Sequence, residues 1–156
     1  MAEYSNASVQ TVNPGESVVF TVTDVPCERG FVRHRDGTGM FLLAGYVPPQ
    51  YGVCACRRKK TANYFVDFAA NIAVPTGQTV GPISLAVTIE GATIPSSTMI
   101  VTPAAVEEYF NVSRAIDIDV FKNCCETVSI RNTSTIPILV QNANINFSRP
   151  DLYQSR

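Results

Sequence analysis

The sequence has a single histidine, His34, and no G-x-S-x-G turn or other nucleophile motif. A lone imidazole excludes His-rich metal sites and leaves little room for general-base schemes. No apolar run approaches the roughly 20 residues that cross a bilayer as a helix. Charged side chains make up 16% of the 156 residues against 46% hydrophobic, a balance that excludes a disordered chain. The formal net charge is −1, so no field draws the molecule toward nucleic acid or an anionic membrane. Met1 to Gln10 is polar and lacks the basic region and apolar stretch of a secretory leader. A surface location is therefore expected without a classical signal peptide. No internal repeat is visible, and the helix formers Lys, Glu and Leu are sparse.

What is present is Val, Ile and Phe with Thr, Ser and Asn between them, a mixture that suits pleated, half-buried surfaces. Ser8 to Val12 alternates weakly and stops at Asn13-Pro14-Gly15, a turn signal. Ser17 to Val22 is β-branched and closes at Asp24 to Gly30. Phe31 to Arg35 and Met40 to Ala44 flank Asp36-Gly37-Thr38-Gly39, which reads as a hairpin loop. Gly45 to Thr61 dissolves into Pro, Gly, Cys and basic residues and reads as one long irregular connection. Asn63 to Ile72 then places Tyr64, Val66, Phe68 and Ala70 on one face and Phe65, Asp67 and Ala69 on the other. Ile83 to Ile89 alternates cleanly, and Glu90-Gly91 turns the chain into Ala92 to Val101, interrupted at Pro95. Glu107 to Val120, Thr127 to Arg131 and Ile138 to Phe147 complete the extended segments. Pro103 to Glu108 is the one helix candidate, and Pro150 to Arg156 reads as a polar tail.

About eight to ten short strands with regular turn signals predict an all-β fold, an antiparallel sandwich or barrel. Residues 1–156 are expected to form one domain with short polar segments at both ends.

From Asn63 onward the chain resembles the C-terminal domain of BclA-type bacterial spore-surface glycoproteins, which are themselves C1q/TNF-like. The resemblance lies in the order of segments. Tyr64-Phe65-Val66-Asp67-Phe68 is followed by a Val/Ile/Leu strand ending in Glu90-Gly91, then Ile94-Pro95-Ser96-Ser97 and Glu108-Tyr109-Phe110-Asn111-Val112. An Ile-Asp-Ile-Asp-Val strand precedes Thr127-Val128-Ser129-Ile130-Arg131-Asn132 and a final strand from Ile138 to Phe147. Residues 1 to 45 match only loosely. The chain departs from the family in lacking a collagen-like Gly-X-Y stalk, and Asn123-Cys124-Cys125 stands where Gly-Asp is usual. The resemblance implies an all-β, antiparallel jelly-roll sandwich in which first and last strands lie side by side, and three copies that associate around a threefold axis. The residues agree with assembly, because the Asn63 to Ile72 strand is apolar on both faces and one sandwich buries only one. Tyr64, Phe65, Phe68, Tyr109 and Phe110 are the candidate trimer interface. The competing reading puts Phe65 beneath the Gly45 to Thr61 loop.

Other clusters carry weaker chemistry. Arg33-His34-Arg35-Asp36 reads as an exposed strand-end cluster rather than an acid–base pair. Asp117 and Asp119 share a face, but two carboxylates alone make a weak calcium site. Cys27, Cys54, Cys56, Cys124 and Cys125 leave at least one thiol free or paired between chains. The C-x-C and C-C spacings are tighter than usual for zinc, and the choice between disulfides and reduced thiols stays open. Arg57-Arg58-Lys59-Lys60 lacks interleaved aromatics and reads as a solvated loop. Asn6, Asn111, Asn132 and Asn146 begin N-x-S/T triplets that arise by chance in so Asn- and Ser-rich a chain.

The functional expectation is a non-enzymatic structural or adhesive module without cofactor. It would be a homotrimer displayed on a bacterial cell, spore, appendage or phage particle, open to further assembly into a fibre or coat. It is expected to make no nucleic-acid contact and to have no membrane span. A soluble carbohydrate-binding module using Tyr46 and Tyr51 is the alternative, with a glycan or host-surface ligand.

Overall fold

The structure is a computed structural model that describes residues 1–152. In chain order the described strands are β1 (Ala2–Asn6), β2 (Gln10–Val12), β3 (Val22–Val25), β4 (Val32–His34), β5 (Phe41–Ala44) and β6 (Thr61–Ala73). They continue as β7 (Ile83–Ile89), β8 (Ala92–Thr93), β9 (Met99–Val101), β10 (Phe110–Phe121), β11 (Cys125–Asn132) and β12 (Ile138–Ser148). One sheet runs β10-β6-β12-β1-β3, with β2 continuing beside β12; the other runs β4-β5-β11-β7-β8, with β9 beside β7. Every pairing is antiparallel. The inner faces of the two sheets close one hydrophobic core, so the fold is a jelly-roll sandwich.

Period-2 alternation builds most of it. In β6, Ala62, Tyr64, Val66, Phe68, Ala70 and Ile72 all point inward and are buried, while Phe65 and Asp67 face out. Strand β12 cannot alternate without a break, since Ile138 and Val140 are inward but so are Ala143, Ile145 and Phe147. A bulge between Gln141 and Asn144, with Asn142 at φ 53°, resets the parity and keeps both halves packed. Burying a large apolar side chain of this kind stabilises by about 1.5–3 kcal/mol.

The first and last strands lie side by side, with Ala2 opposite Phe147. The N-terminal segment is therefore not a polar extension. Ala2, Tyr4 and Asn6 turn into the core while Glu3 and Ser5 turn outward, so a strand hides behind polar composition. Ser17 to Val22 is extended but crosses between sheets. Val18 donates its backbone N–H to Ile130 in one sheet, and β3 then pairs with β1 in the other. At the crossing Gln10 stands in for a neighbouring strand: its side chain accepts from the Val19 N–H at 2.8 Å and donates to the Val19 carbonyl at 2.9 Å.

Pro103 to Glu108 forms no helix. The Glu108 carboxylate accepts from the backbone N–H groups of Ala104 and Ala105, and Glu107 takes φ 57°, which makes a turn. Short 3-10 turns occur at Ala55–Arg57, Pro95–Ser97 and Pro150–Leu152. The last begins the expected polar tail, whose residues 153–156 lie outside the described part. No helix among the described residues is long and apolar enough to cross a membrane.

Candidate functional site

The Gly45–Lys60 connection is long but held at both ends. Gly45 donates its N–H to the Cys124 carbonyl at 2.7 Å and accepts from the Asn123 N–H at 3.0 Å. Lys122 donates its N–H to the Lys60 carbonyl at 2.8 Å. The deepest tie is Arg149, whose side chain is fully buried at the end of β12. Its Nε and Nη2 each donate to Asp151 at 2.8 Å, and Nη2 also donates to the Tyr46 carbonyl at 2.9 Å. The guanidinium lies over the Tyr64 ring at 4.8 Å and the Phe31 ring at 5.6 Å. The Tyr64 hydroxyl shares its hydrogen between the carbonyls of Ala44, at 2.6 Å, and Phe31, at 3.0 Å.

These groups set one another's charge. Burial pushes the Tyr64 phenol up, against the lowering pull of Arg149 and the Ala44 bond. Burial also pushes the Asp151 carboxyl up, but the Arg149 bonds and charge, with help from Lys59, hold it below the ordinary carboxylate range. Burial favours losing the Arg149 charge, yet Asp151 and Tyr64 outweigh it and the guanidinium stays charged. Sequence reasoning missed Arg149, because a charged residue beyond the last strand reads as exposed; its one signal was an acid two positions on.

Above this anchor the loop folds on itself. Lys59 donates its N–H to the Gln50 side chain at 2.9 Å, and Arg58 Nε donates to the Val53 carbonyl at 3.1 Å. Between the two limbs lies a cavity of about 320 Å³ lined by Val47, Pro48, Pro49, Gln50, Tyr51, Arg58, Lys59 and Lys122. Tyr51 stands at its rim with 90% of its surface exposed. Tyr46, also exposed, is not among the lining residues, so the two candidate ligand tyrosines do not share this cavity. Of the basic run, Arg58 and Lys59 line it.

A second concave surface lies at the open edge, where β9 and β10 end their sheets facing each other. The groove, about 360 Å³, is lined by Thr98 to Val101 and by Asn111 to Arg114. Ile100, Val106, Tyr109 and Phe110 leave apolar surface exposed on β9, β10 and the turn between them, and Phe65 and Phe121 do so on the outer face of the β6/β10 sheet. Two candidate interface residues need correction. Tyr64 and Phe68 lie on the inward face of β6 and are fully buried within one chain, so neither side chain can reach a partner. Phe65, Tyr109 and Phe110 remain exposed, which leaves Phe65 uncovered by the loop.

Of the expected strand-end cluster, Arg33, Arg35 and Asp36 are exposed, but His34 is not. The His34 side chain is buried, stacked on Phe41 at 4.4 Å, and its Nε2 meets the Thr38 carbonyl at 3.1 Å. Since that carbonyl only accepts, Nε2 is the donor in this bond. Asp36 stays in solvent 3.7 Å from Nδ1. Asp119 accepts from Asn63 at 3.0 Å. Among the described residues, no three His, Cys, Asp or Glu side chains converge. All five cysteines are free; Cys54, Cys56, Cys124 and Cys125 are exposed, and Cys27 is half-buried against the core. The amides of Asn6 and Asn132 are buried and bonded to the backbone.

No protein-family model matches the chain, and no curated protein matches it. Solved structures do. The globular domain of zebrafish complement 1qA protein superposes with a TM-score of 0.63 at 12% identity, covering 95% of this chain and 94% of that one. Eiger TNF from S. frugiperda gives 0.62 at 11% identity over 95% and 90%, and murine APRIL at pH 5.0 gives 0.60 at 10% over 95% and 98%. The chain has the C1q/TNF-like jelly-roll fold.

Proposed function

We propose that this protein is a single-domain, non-enzymatic structural module that works as a homotrimer. The observation that carries the reading is the open β9/β10 edge. Strand β10 has a partner on one side only along its twelve residues, and its rim carries exposed Ile100, Tyr109 and Phe110. An unpaired edge beside apolar surface invites another chain. The exposed Phe65 and Phe121 on the outer sheet face supply a different, complementary patch. Contact between two unlike patches is heterologous and closes into a ring only where its rotation returns to the start; the C1q/TNF resemblance is what supports a threefold ring here. Display on a cell, spore, appendage or phage particle follows from the BclA-type resemblance, with the loops left free for adhesion. In sedimentation velocity the wild-type chain should run as a trimer and Ile100→Glu as a folded monomer. An unchanged assembly in the variant would refute this interface.

A second reading is carbohydrate binding through the Gly45–Lys60 loop. It is favoured by Tyr51, a nearly fully exposed aromatic on the rim of a cavity. A glycan array read with wild type and Tyr51→Ala tests it, binding in the first and loss in the second being expected.

A further inference from the structure

We infer that the cavity in the Gly45–Lys60 loop takes a carboxylated sugar residue. The inference rests on the carbohydrate reading and deepens it. Three basic residues, Arg58, Lys59 and Lys122, line this cavity from two separate parts of the chain. Among the described residues, the carboxylates lying against a basic side chain are Asp36, beside His34, and Asp151, paired with Arg149. None pairs with Arg58, Lys59 or Lys122. Asp151, which feels the Lys59 charge, is already neutralised by the buried Arg149. Three like charges gathered around one concavity repel one another, and an anion placed between them relieves that repulsion. The surrounding chain is built rather than loose: Arg58 Nε is fixed on Val53, the Lys59 backbone on Gln50, and the Lys122 backbone on Lys60. With Nε committed, the two terminal nitrogens of Arg58 remain to meet a carboxylate side by side.

The rest of the lining decides what carries the carboxylate. Val47, Pro48, Pro49 and the Tyr51 ring present apolar surface against which the C–H face of a pyranose packs, and Gln50 offers an amide to hydroxyls. A bare inorganic anion would leave that surface unused. A nucleic acid needs a wider basic footprint than a chain of net charge −1 provides. A uronic or sialic acid satisfies both halves of the cavity.

The test is a glycan array holding uronate-, sialate- and sulfate-bearing glycans beside neutral ones, followed by titration of the best ligand and its methyl ester. Binding should concentrate on the carboxylated glycans, and esterification should weaken it about tenfold or more. Arg58→Ala and Lys122→Ala should each cost a similar factor, and affinity should fall as salt rises. Equal binding of acid and ester, or variants that bind like wild type, overturns the inference. So does a preference for sulfated glycans, or displacement by short single-stranded DNA. If neutral glycans bind and Tyr51→Ala abolishes it, the carbohydrate reading survives while this inference falls; if no glycan binds, both fall.

Discussion

The Arg149 guanidinium lies 4.8 Å from the centre of the Tyr64 ring, its charge matched by Asp151 on the other side. This contact joins the exit of β12 to the core face of β6 and, through the Tyr46 carbonyl, to the root of the candidate ligand loop. A charge so deeply buried is tolerable only while its partner is ionised.

Asp151→Ala should therefore cost about 3 kcal/mol in urea unfolding at neutral pH, since it strands a buried cation. The pH dependence has a definite sign. The Asp151 carboxyl is held below its unfolded value, so its stabilisation is complete above the ordinary carboxylate range near about 4 and is lost as pH falls through the lower folded value. The gap between wild type and variant should narrow below about pH 4. A gap that stays constant would contradict this assignment.

Gly45 meets no positive-φ requirement, yet it cannot carry a side chain. A Cβ there would overlap the Phe121 carbonyl oxygen and come within 2.8 Å of the Cys124 carbonyl oxygen. Gly45→Ala should lower stability by about 2 kcal/mol or more and displace the loop behind it. Thermal unfolding reads the first effect, and loss of any glycan binding reads the second.

Gln10→Leu removes the acceptor of the Val19 N–H, while the Val19 carbonyl keeps the Asn6 amide as a donor. Desolvated polar groups left without partners cost about 1–3 kcal/mol. Hydrogen exchange at the Val19 amide should accelerate ahead of that in β6, whereas equal protection in the variant would show that the crossing segment does not depend on Gln10.

The exposure of the thiols gives a chemical check. Cys54, Cys56, Cys124 and Cys125 should react with a thiol reagent in the native protein, and Cys27, packed against the core, only slowly. Five equally fast thiols would mean that the β3–β4 connection opens readily.

The strands that sequence reasoning located are those where apolar and polar residues alternate with β-branched side chains, as in β6 and β7. The hairpin around Gly37 was legible from its turn residues. Strand β1 was not, because one of its inward positions is Asn6, whose amide is satisfied by the Val19 carbonyl rather than by water. His34 was misread, and Arg149 missed, for the same reason. Polar groups count as exposed until a partner is seen, and Asn6 and Arg149 find partners far along the chain, at Val19 and at Tyr46 and Tyr64. The interface candidates divided along the pleat of β6, since adjacent aromatics point to opposite faces: Phe65 outward, Tyr64 and Phe68 inward. The cavity could not be read from Arg57-Arg58-Lys59-Lys60 alone, because Lys122 joins it from another turn.

Light scattering of the purified chain, run with reductant across a range of concentrations, bears most directly on self-assembly. The expected molar mass is three times the 16.9 kDa of one chain. A monodisperse, folded monomer at the highest concentration would contradict it.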